Sequence, residues 1–375
     1  MAPELLNDDE SERSDYVLDI RADYDKVRVA RAARTVTKKL LPYAEAKANR
    51  WISDWSAYTP PVPKVLGVHP VEVQLAEVVD YIDWTPFFQS WQLAGKFPAI
   101  LEDEVVGKEA TELYADAQAM LQQIIDEDWL GAKAVFGIFE ANSQNDTIVL
   151  RHHETASLRS IGSIVAPTQP TTTHLEMLRQ QLKKAPGKPN QSLADLIAPA
   201  DSGKRDYLGA FAVTAGIGIE EHIARFAAEH DDYSSILLKA LADRLAEAVT
   251  EWLHAKVRRE YWGYEAAESL SNEELIAERY RGIRPAPGYP ACPDHTEKQK
   301  LWDLLGVQAH TGITLTESYA MYPAASVSGW YFAHPEAKYF GLVGHVADDQ
   351  VVDYAGRKGM DVDVMRKWLA PVLAG

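Results

Sequence analysis

The stretch 233–260 constrains this chain most. Leu237, Leu241, Leu245, Ala248 and Trp252 recur at helical spacing along one stripe, while Asp243, Glu247 and Glu251 recur every four residues along another. The spacing predicts a long amphipathic helix whose apolar side must be covered and whose acidic row is free for chemistry. Apolar runs able to cover it lie nearby in sequence. Tyr207 to Thr214 reads as a strand, and Ala134 to Phe139 with Thr147 to Leu150 reads as a β-hairpin around the polar residues Asn142, Ser143, Asn145 and Asp146. A second helical stripe runs through Ala110, Leu113, Ala117, Met120, Leu121, Ile124 and Ile125, and Gly131 ends it.

The remaining segments fill in around these. Residues 11–44 mix charge with a few apolar positions and read as a helical arm, so the expected division is an arm over 1–50 and a domain over 51–375. Four prolines between Tyr58 and Pro70 mark an extended connector, because proline removes a backbone donor and disfavours helix before it. Val71 to Tyr81 reads as a short element. Trp84, Phe87, Phe88, Trp91 and Phe97 form an aromatic cluster that must be buried. Residues 153–189 are ambiguous, with a threonine and proline cluster at 167–173 and a helix expected after it. Ser271 to Glu278 reads as a short helix, Ser326 to Phe332 and Lys338 to Val346 as strands, and Val351 to Gly356 with Val362 to Leu369 as closing helices. Segregated helices and hairpin-like strands predict an α+β fold, a single large domain with a twisted antiparallel sheet flanked by helices, over regular βαβ alternation.

Composition excludes several classes of function. Over 375 residues, 38 Lys and Arg face 55 Asp and Glu, a net charge of −17, which argues against nucleic acid because a broad duplex-binding surface needs clustered positive charge. The one cysteine, Cys292, rules out an intrachain disulfide and any Cys-rich metal site, as expected of a reducing compartment. No apolar run reaches the ~18 residues of a membrane span, and Met1 to Tyr16 lacks the basic-then-apolar profile of a signal peptide, so no membrane association and a cytoplasmic location are expected.

Several motifs are weak. Gly216-Ile217-Gly218 has Glu221 where a dinucleotide fingerprint needs its third glycine, and no phosphate-binding GxxxxGK[ST] occurs. His152-His153-Glu154 and the Glu251/His254 pair look like metal ligands, yet a di-iron bundle needs Glu-x-x-His from two facing helices plus further carboxylates, so a surface helix is expected instead. Cys292 followed by Asp294 and His295 suggests a thiol dyad but lacks an identifiable orienting group. More informative is Arg284-Pro-Ala-Pro-Gly288-Tyr289-Pro290. Its prolines pre-set the backbone and its glycine permits close approach, so such a loop can cradle a ligand at little ordering cost. The same residues also fit a rigid crossover whose Arg284 pairs with a nearby acid.

At these residues the chain resembles the C-terminal activation domain of cobalamin-dependent methionine synthase. The Arg-x-x-x-Gly-Tyr motif stands at Arg284 to Tyr289, and longer strings accompany it in order: Tyr81-Ile-Asp-Trp-Thr-Pro-Phe-Phe88, Asp206-Tyr-Leu-Gly-Ala-Phe-Ala-Val-Thr214, Leu238 to Glu247, Tyr261-Trp-Gly-Tyr264, Pro290-Ala-Cys292 with His295-Thr-Glu-Lys298, and Ser326-Val-Ser-Gly-Trp-Tyr-Phe332. The resemblance covers roughly 51–371. It departs at 152–191, before Trp51, and at Phe340, where a second tyrosine is common. Nothing in the chain resembles the family's homocysteine, folate or cobalamin modules, so an excised fragment or a separate subunit is expected.

The resemblance implies an S-adenosylmethionine-binding module, the methyltransferase component that supports reductive methylation of cobalamin. It further implies a cobalamin carried by a partner module and a flavodoxin-like electron donor. By resemblance the ligand contacts are Asp83, Arg284 and the Tyr339/Phe340 pair, with Glu247 and Glu278 as nearby acids and Pro285, Ala286, Gly288 and Tyr289 lining the pocket. Chemistry gives these residues roles. A ligand with a sulfonium, an ammonium and a carboxylate asks for acids or π-faces and for one guanidinium. Arg284 would take the carboxylate, the acids the positive groups, and Tyr289 and Tyr339 would form walls. No protein nucleophile or base is required, since the corrin itself attacks. The alternative is a non-catalytic interaction or sensing domain that docks a cobalamin or flavodoxin-like protein; an autonomous methyltransferase would need a glycine-rich strand-loop-helix that is absent.

Overall fold

The computed structural model describes residues 39–152, 171–340 and 345–374, together with Tyr24 and Lys26. Its centre is a six-stranded antiparallel sheet. In chain order the main elements are β1 (Gly67–Glu72), α1 (Gly107–Asp126), β2 (Gly131–Gln144), β3 (Thr147–His152), β4 (Thr171–Glu176), β5 (Asp206–Ile217), α2 (Ile219–Ala228), α3 (Asp232–Lys256), α4 (Asn272–Ile276), α5 (Glu297–Leu305), β6 (Ser326–Tyr331), α6 (Asp348–Lys358) and α7 (Val362–Trp368). The strand order is β4-β3-β2-β5-β6, and β1 pairs the first half of β2 on the edge that β3 occupies further along. The hairpin of β2 and β3 turns at Asn145, in the left-handed region that Asn tolerates.

Successive side chains of a strand point to opposite faces, and both faces here are covered. Phe136, Ile138, Phe211 and Tyr331 point into one core with α1 and α3, where Leu237, Leu241 and Leu245 bury the predicted stripe. Val135, Phe139, Leu208 and Trp330 point into a second core with α5 and α6. Burial on both sides explains why β5 reads as a continuous apolar run and not as an alternation.

Two expectations fail. The helix expected after the threonine and proline cluster is β4 through Glu176, paired with β3, and 177–192 is irregular chain. Buried Arg179 holds that irregular stretch: it pairs with Asp146, and with Asp195 at 2.7 Å, and donates to the Asn190 carbonyl at 2.7 Å. The strand expected over Lys338 to Val346 is also absent from its described part. Residues 338–340 carry no strand pairing, because Phe340 is drawn into the second core, and Val346 makes only a single bridge to Leu373.

Most of the expected arm lies outside the described residues. Its last part is tied to the sheet: Tyr43 donates from its hydroxyl to Asp146 at 2.7 Å and from its backbone to Asp349 at 2.6 Å.

Candidate functional site

The site grows from the C-terminal half of α3. Glu247, Glu251, His254 and Arg258 stand at i, i+4, i+7 and i+11, hence on one face of the helix. Glu247 is exposed at the upper end, whereas Glu251, His254 and Arg258 run under the neighbouring chain and are buried. Arg258 belongs to a π-helical continuation, Val257–Tyr261, a local widening frequently found at functional sites.

Over this face runs the proline-rich loop. Ile283 exchanges backbone hydrogen bonds with Phe332 at 3.1 and 3.0 Å, and the Pro285 carbonyl accepts from Trp330 N–H at 2.9 Å. The segment thus lies along the free edge beyond β6, a place that tolerates a residue without an N–H. The chain then turns through Ala286, Pro287, Gly288 and Tyr289, closed by Tyr289 N–H to the Ala286 carbonyl at 3.2 Å, with Gly288 at φ 94° as a proline-glycine corner requires. Gly288 N–H donates to the Cys292 carbonyl at 2.7 Å. A side-chain carbon at Gly288 would stand within 3 Å of three ring atoms of His295, so the loop rests directly on that imidazole.

Arg284 is pinned at both ends. Its backbone N–H donates to the Tyr339 hydroxyl at 2.9 Å. Its Nη2 is 2.7 Å from Glu251 Oε2, and Nη1 donates to the Tyr280 hydroxyl at 2.7 Å and lies 3.2 Å from His254 Nδ1. Burial works against its charge, but Glu251 beside it holds the pKa above the ordinary arginine value, so the guanidinium stays ionised. Arg258 stacks over the Tyr280 ring at 4.2 Å and is neutralised by Glu268 through hydrogen bonds of 2.8 and 2.7 Å. The side chain of Arg284 remains 19% exposed, enough to meet a ligand from outside.

The structure gathers most of the expected residues around this arginine. Glu247 and Glu278 both act on its charge, and burial raises the Glu278 carboxyl while Arg284 lowers it. Tyr289 projects outward at 63% exposure, Tyr339 is exposed beside Arg284, Pro285 is buried, and Ala286 and Gly288 are half-buried. Phe340 points away from Tyr339 into the second core at 9% exposure. Asp83 occupies a different wall. It accepts from Thr85 N–H at 2.9 Å and lines a cavity of about 700 Å³ with Trp84, Phe97, Asn272 and Ile276. Asn272 donates to the Ile82 carbonyl at 3.2 Å, which ties α4, two residues before Glu278, to this wall.

The resemblance implied Glu247 and Glu278 as nearby acids; the direct partner of Arg284 is Glu251, with His254 and Tyr280 as neutral acceptors. The four-residue row containing Glu247 and Glu251 was the available signal. Glu251 and His254 are not on the surface face expected of them: both are buried, in contact with Arg284, and His152 meets Thr173 Oγ1 at 2.9 Å, with His153 and Glu154 outside the described residues. Cys292 is buried, which pushes its thiol pKa up and removes the nucleophile that a dyad would need.

The free sheet edge thus carries a partly exposed, ionised guanidinium, with Glu251 against it, Glu247 and Glu278 acting on its charge, and the exposed Tyr339 beside it. The family described as the activation domain of vitamin B12-dependent methionine synthase matches residues 74–359, and this chain belongs to that family. Its function class is therefore that of a methionine synthase activation domain. A solved structure described as the crystal structure of the MetH reactivation domain bound to AdoHcy is 52% identical, with a TM-score of 0.83, over 90% of this chain and 99% of that one. Among the described residues, no helix is long and apolar enough to cross a membrane.

Proposed function

We propose that this domain binds S-adenosylmethionine at the Arg284 groove and offers its methyl group to a cobalamin carried on a partner module, as the methyltransferase component of reactivation. The observation that carries the reading is the arginine itself. Arg284 is kept ionised by Glu251, fixed by Tyr280 and Tyr339, and still open to solvent, which suits a receptor for the methionyl carboxylate. Glu278, Glu247 and, across α4, Asp83 supply negative charge for the ammonium and sulfonium, and Tyr289 and Tyr339 offer faces to the adenosine and the sulfonium. The solved relative's AdoHcy is the product that such a donor leaves behind, which supports the same site here.

The corrin, when bound on its partner, supplies the nucleophile, and an electron donor of the flavodoxin type supplies the electron. The residues of this chain bind and orient, holding the sulfonium methyl outward where a large planar group can approach. Mixing the full chain with a cobalamin-binding module of methionine synthase, a one-electron reductant and S-adenosylmethionine should convert the corrin's visible spectrum to that of the methylated form. Conversion that proceeds equally well without this chain contradicts the proposal. Association with the cobalamin module that is indifferent to S-adenosylmethionine would favour the interaction-domain alternative.

A further inference from the structure

Behind Arg284 stands a side chain that no ligand needs to touch. His254 is fully buried, its ring stacked on Tyr331 at 5.0 Å and 13° and meeting the Tyr280 ring edge-on at 5.0 Å. Its Nδ1 lies 3.2 Å from Nη1 of Arg284. A guanidinium has no acceptor, so this contact is a hydrogen bond only if Nδ1 presents its lone pair and the ring proton sits on Nε2, which has no partner among the described residues.

The charged and titratable groups facing the ring agree with that tautomer. Arg284 approaches from the edge segment, Arg258 from the π-helical turn, Glu251 from the preceding turn of α3, and Tyr280 and Tyr331 from the flanking chain and β6. Burial and the two guanidiniums hold the imidazole pKa well below its ordinary value, so the ring is uncharged at neutral pH.

Nη1 of Arg284 is thereby committed twice, to Tyr280 and to His254, while Nη2 is shared with Glu251. The edge left to an incoming carboxylate is the side-on fork of Nε and Nη2. Tyr280 and Glu251 alone leave the guanidinium free to rock about the line between them. The third contact removes that freedom.

We infer that His254 is a positioning residue for the ligand's amino-acid end, its Nδ1 fixing the rotation of Arg284 so that the Nε–Nη2 edge faces the groove. The inference rests on the reading of Arg284 as carboxylate receptor. It also separates two roles cleanly. If His254 only packs against Tyr331, a phenyl ring replaces it best; if it positions Arg284, a small side chain that keeps an acceptor at the Nδ1 position replaces it best.

The test is calorimetric titration of the full chain with S-adenosylhomocysteine, in the wild type, His254→Phe, His254→Asn and Arg284→Ala, with near-ultraviolet circular dichroism to confirm folding. His254→Phe is expected to weaken binding about tenfold, the worth of one hydrogen bond to a charged group, and His254→Asn to weaken it distinctly less. Phe binding as well as or better than Asn overturns the inference. Should Arg284→Ala bind like the wild type, the carboxylate reading falls and the inference falls with it; loss in Arg284→Ala with none in His254→Phe defeats the inference alone. Imidazole ¹⁵N resonances of the wild-type chain need no folded variant: an unprotonated Nδ1 and a protonated Nε2 are expected, and a proton on Nδ1 overturns the inference.

Discussion

Glu251 places Oε2 2.7 Å from Nη2 of Arg284 while Oε1 is 3.7 Å from Nη1 of Arg258, so one buried carboxylate faces two guanidiniums. Glu268 neutralises Arg258. Glu251 is therefore the balancing charge for Arg284, and it anchors the guanidinium from its buried side.

Glu251→Gln keeps the shape and removes that charge. Leaving a largely buried arginine without its counter-ion costs about 3 kcal/mol, read as a lower midpoint in urea unfolding. Ligand affinity should fall as well, because the released guanidinium no longer holds one orientation. A variant with wild-type stability would show that Arg258 and Arg284 are solvated in ways that the buried pair does not allow.

Gly288→Ala tests the loop. The new carbon meets the His295 ring and sits on a backbone at φ 94°, a conformation that costs a side-chain-bearing residue about 1–2 kcal/mol. Stability should fall by at least that strain, and binding of S-adenosylhomocysteine should weaken as the loop shifts. Adding His295→Ala removes the collision but not the strain, so the double variant should recover only part of the loss.

Lys358 locks the far side of the same loop. Its ammonium, almost fully buried, lies 2.6 Å from Asp294 and 2.5 Å from Glu297, and Tyr354 donates to Asp294 at 2.8 Å. Lys358→Met leaves buried Asp294 without its cation, while Glu297 keeps Lys300 at 2.9 Å, and should cost about 3 kcal/mol in chemical denaturation. Losing under 1 kcal/mol would mean that α6 does not clamp residues 294–297.

His334 makes stability depend on pH. It is buried against Trp51, Trp55 and Tyr58, with Nε2 3.0 Å from Ser53 Oγ and Nδ1 accepting from Glu336 N–H at 3.1 Å. Burial, with Arg281 nearby, pulls its pKa down to about 4. The unfolded imidazole titrates near 6.5 and so binds more protons between these values, which means that its contribution is complete above about pH 6.5 and is lost as pH falls toward 4. The wild-type unfolding midpoint should drop more steeply across that window than that of His334→Gln; identical slopes would contradict the assignment.

Much of this was legible in the residues themselves. The leucine stripe found α3, the apolar runs found the β2–β3 hairpin and β5, and the prolines found the loop after Arg284, because each is a local signal with a local cause. Partner choice was not local. Glu247 and Glu251 stand one turn apart on one helical face, and spacing alone does not say which of them a distant arginine reaches; the backbone pairing of Ile283 with Phe332 decides it. The threonines of β4 read as irregular for the same reason, since their strand character comes from pairing with β3 across a long intervening segment. Phe340 shows the limit at a single residue: the resemblance implies it as a ligand contact with Tyr339, whereas its ring packs in the second core.

The most direct measurement is titration of the full chain with S-adenosylmethionine in a calorimeter, alongside Arg284→Ala. Saturable one-to-one binding that weakens at least about tenfold in the variant, as loss of a charge-assisted contact demands, is the predicted result. No binding heat in the wild type, or equal affinity in the two proteins, would contradict it.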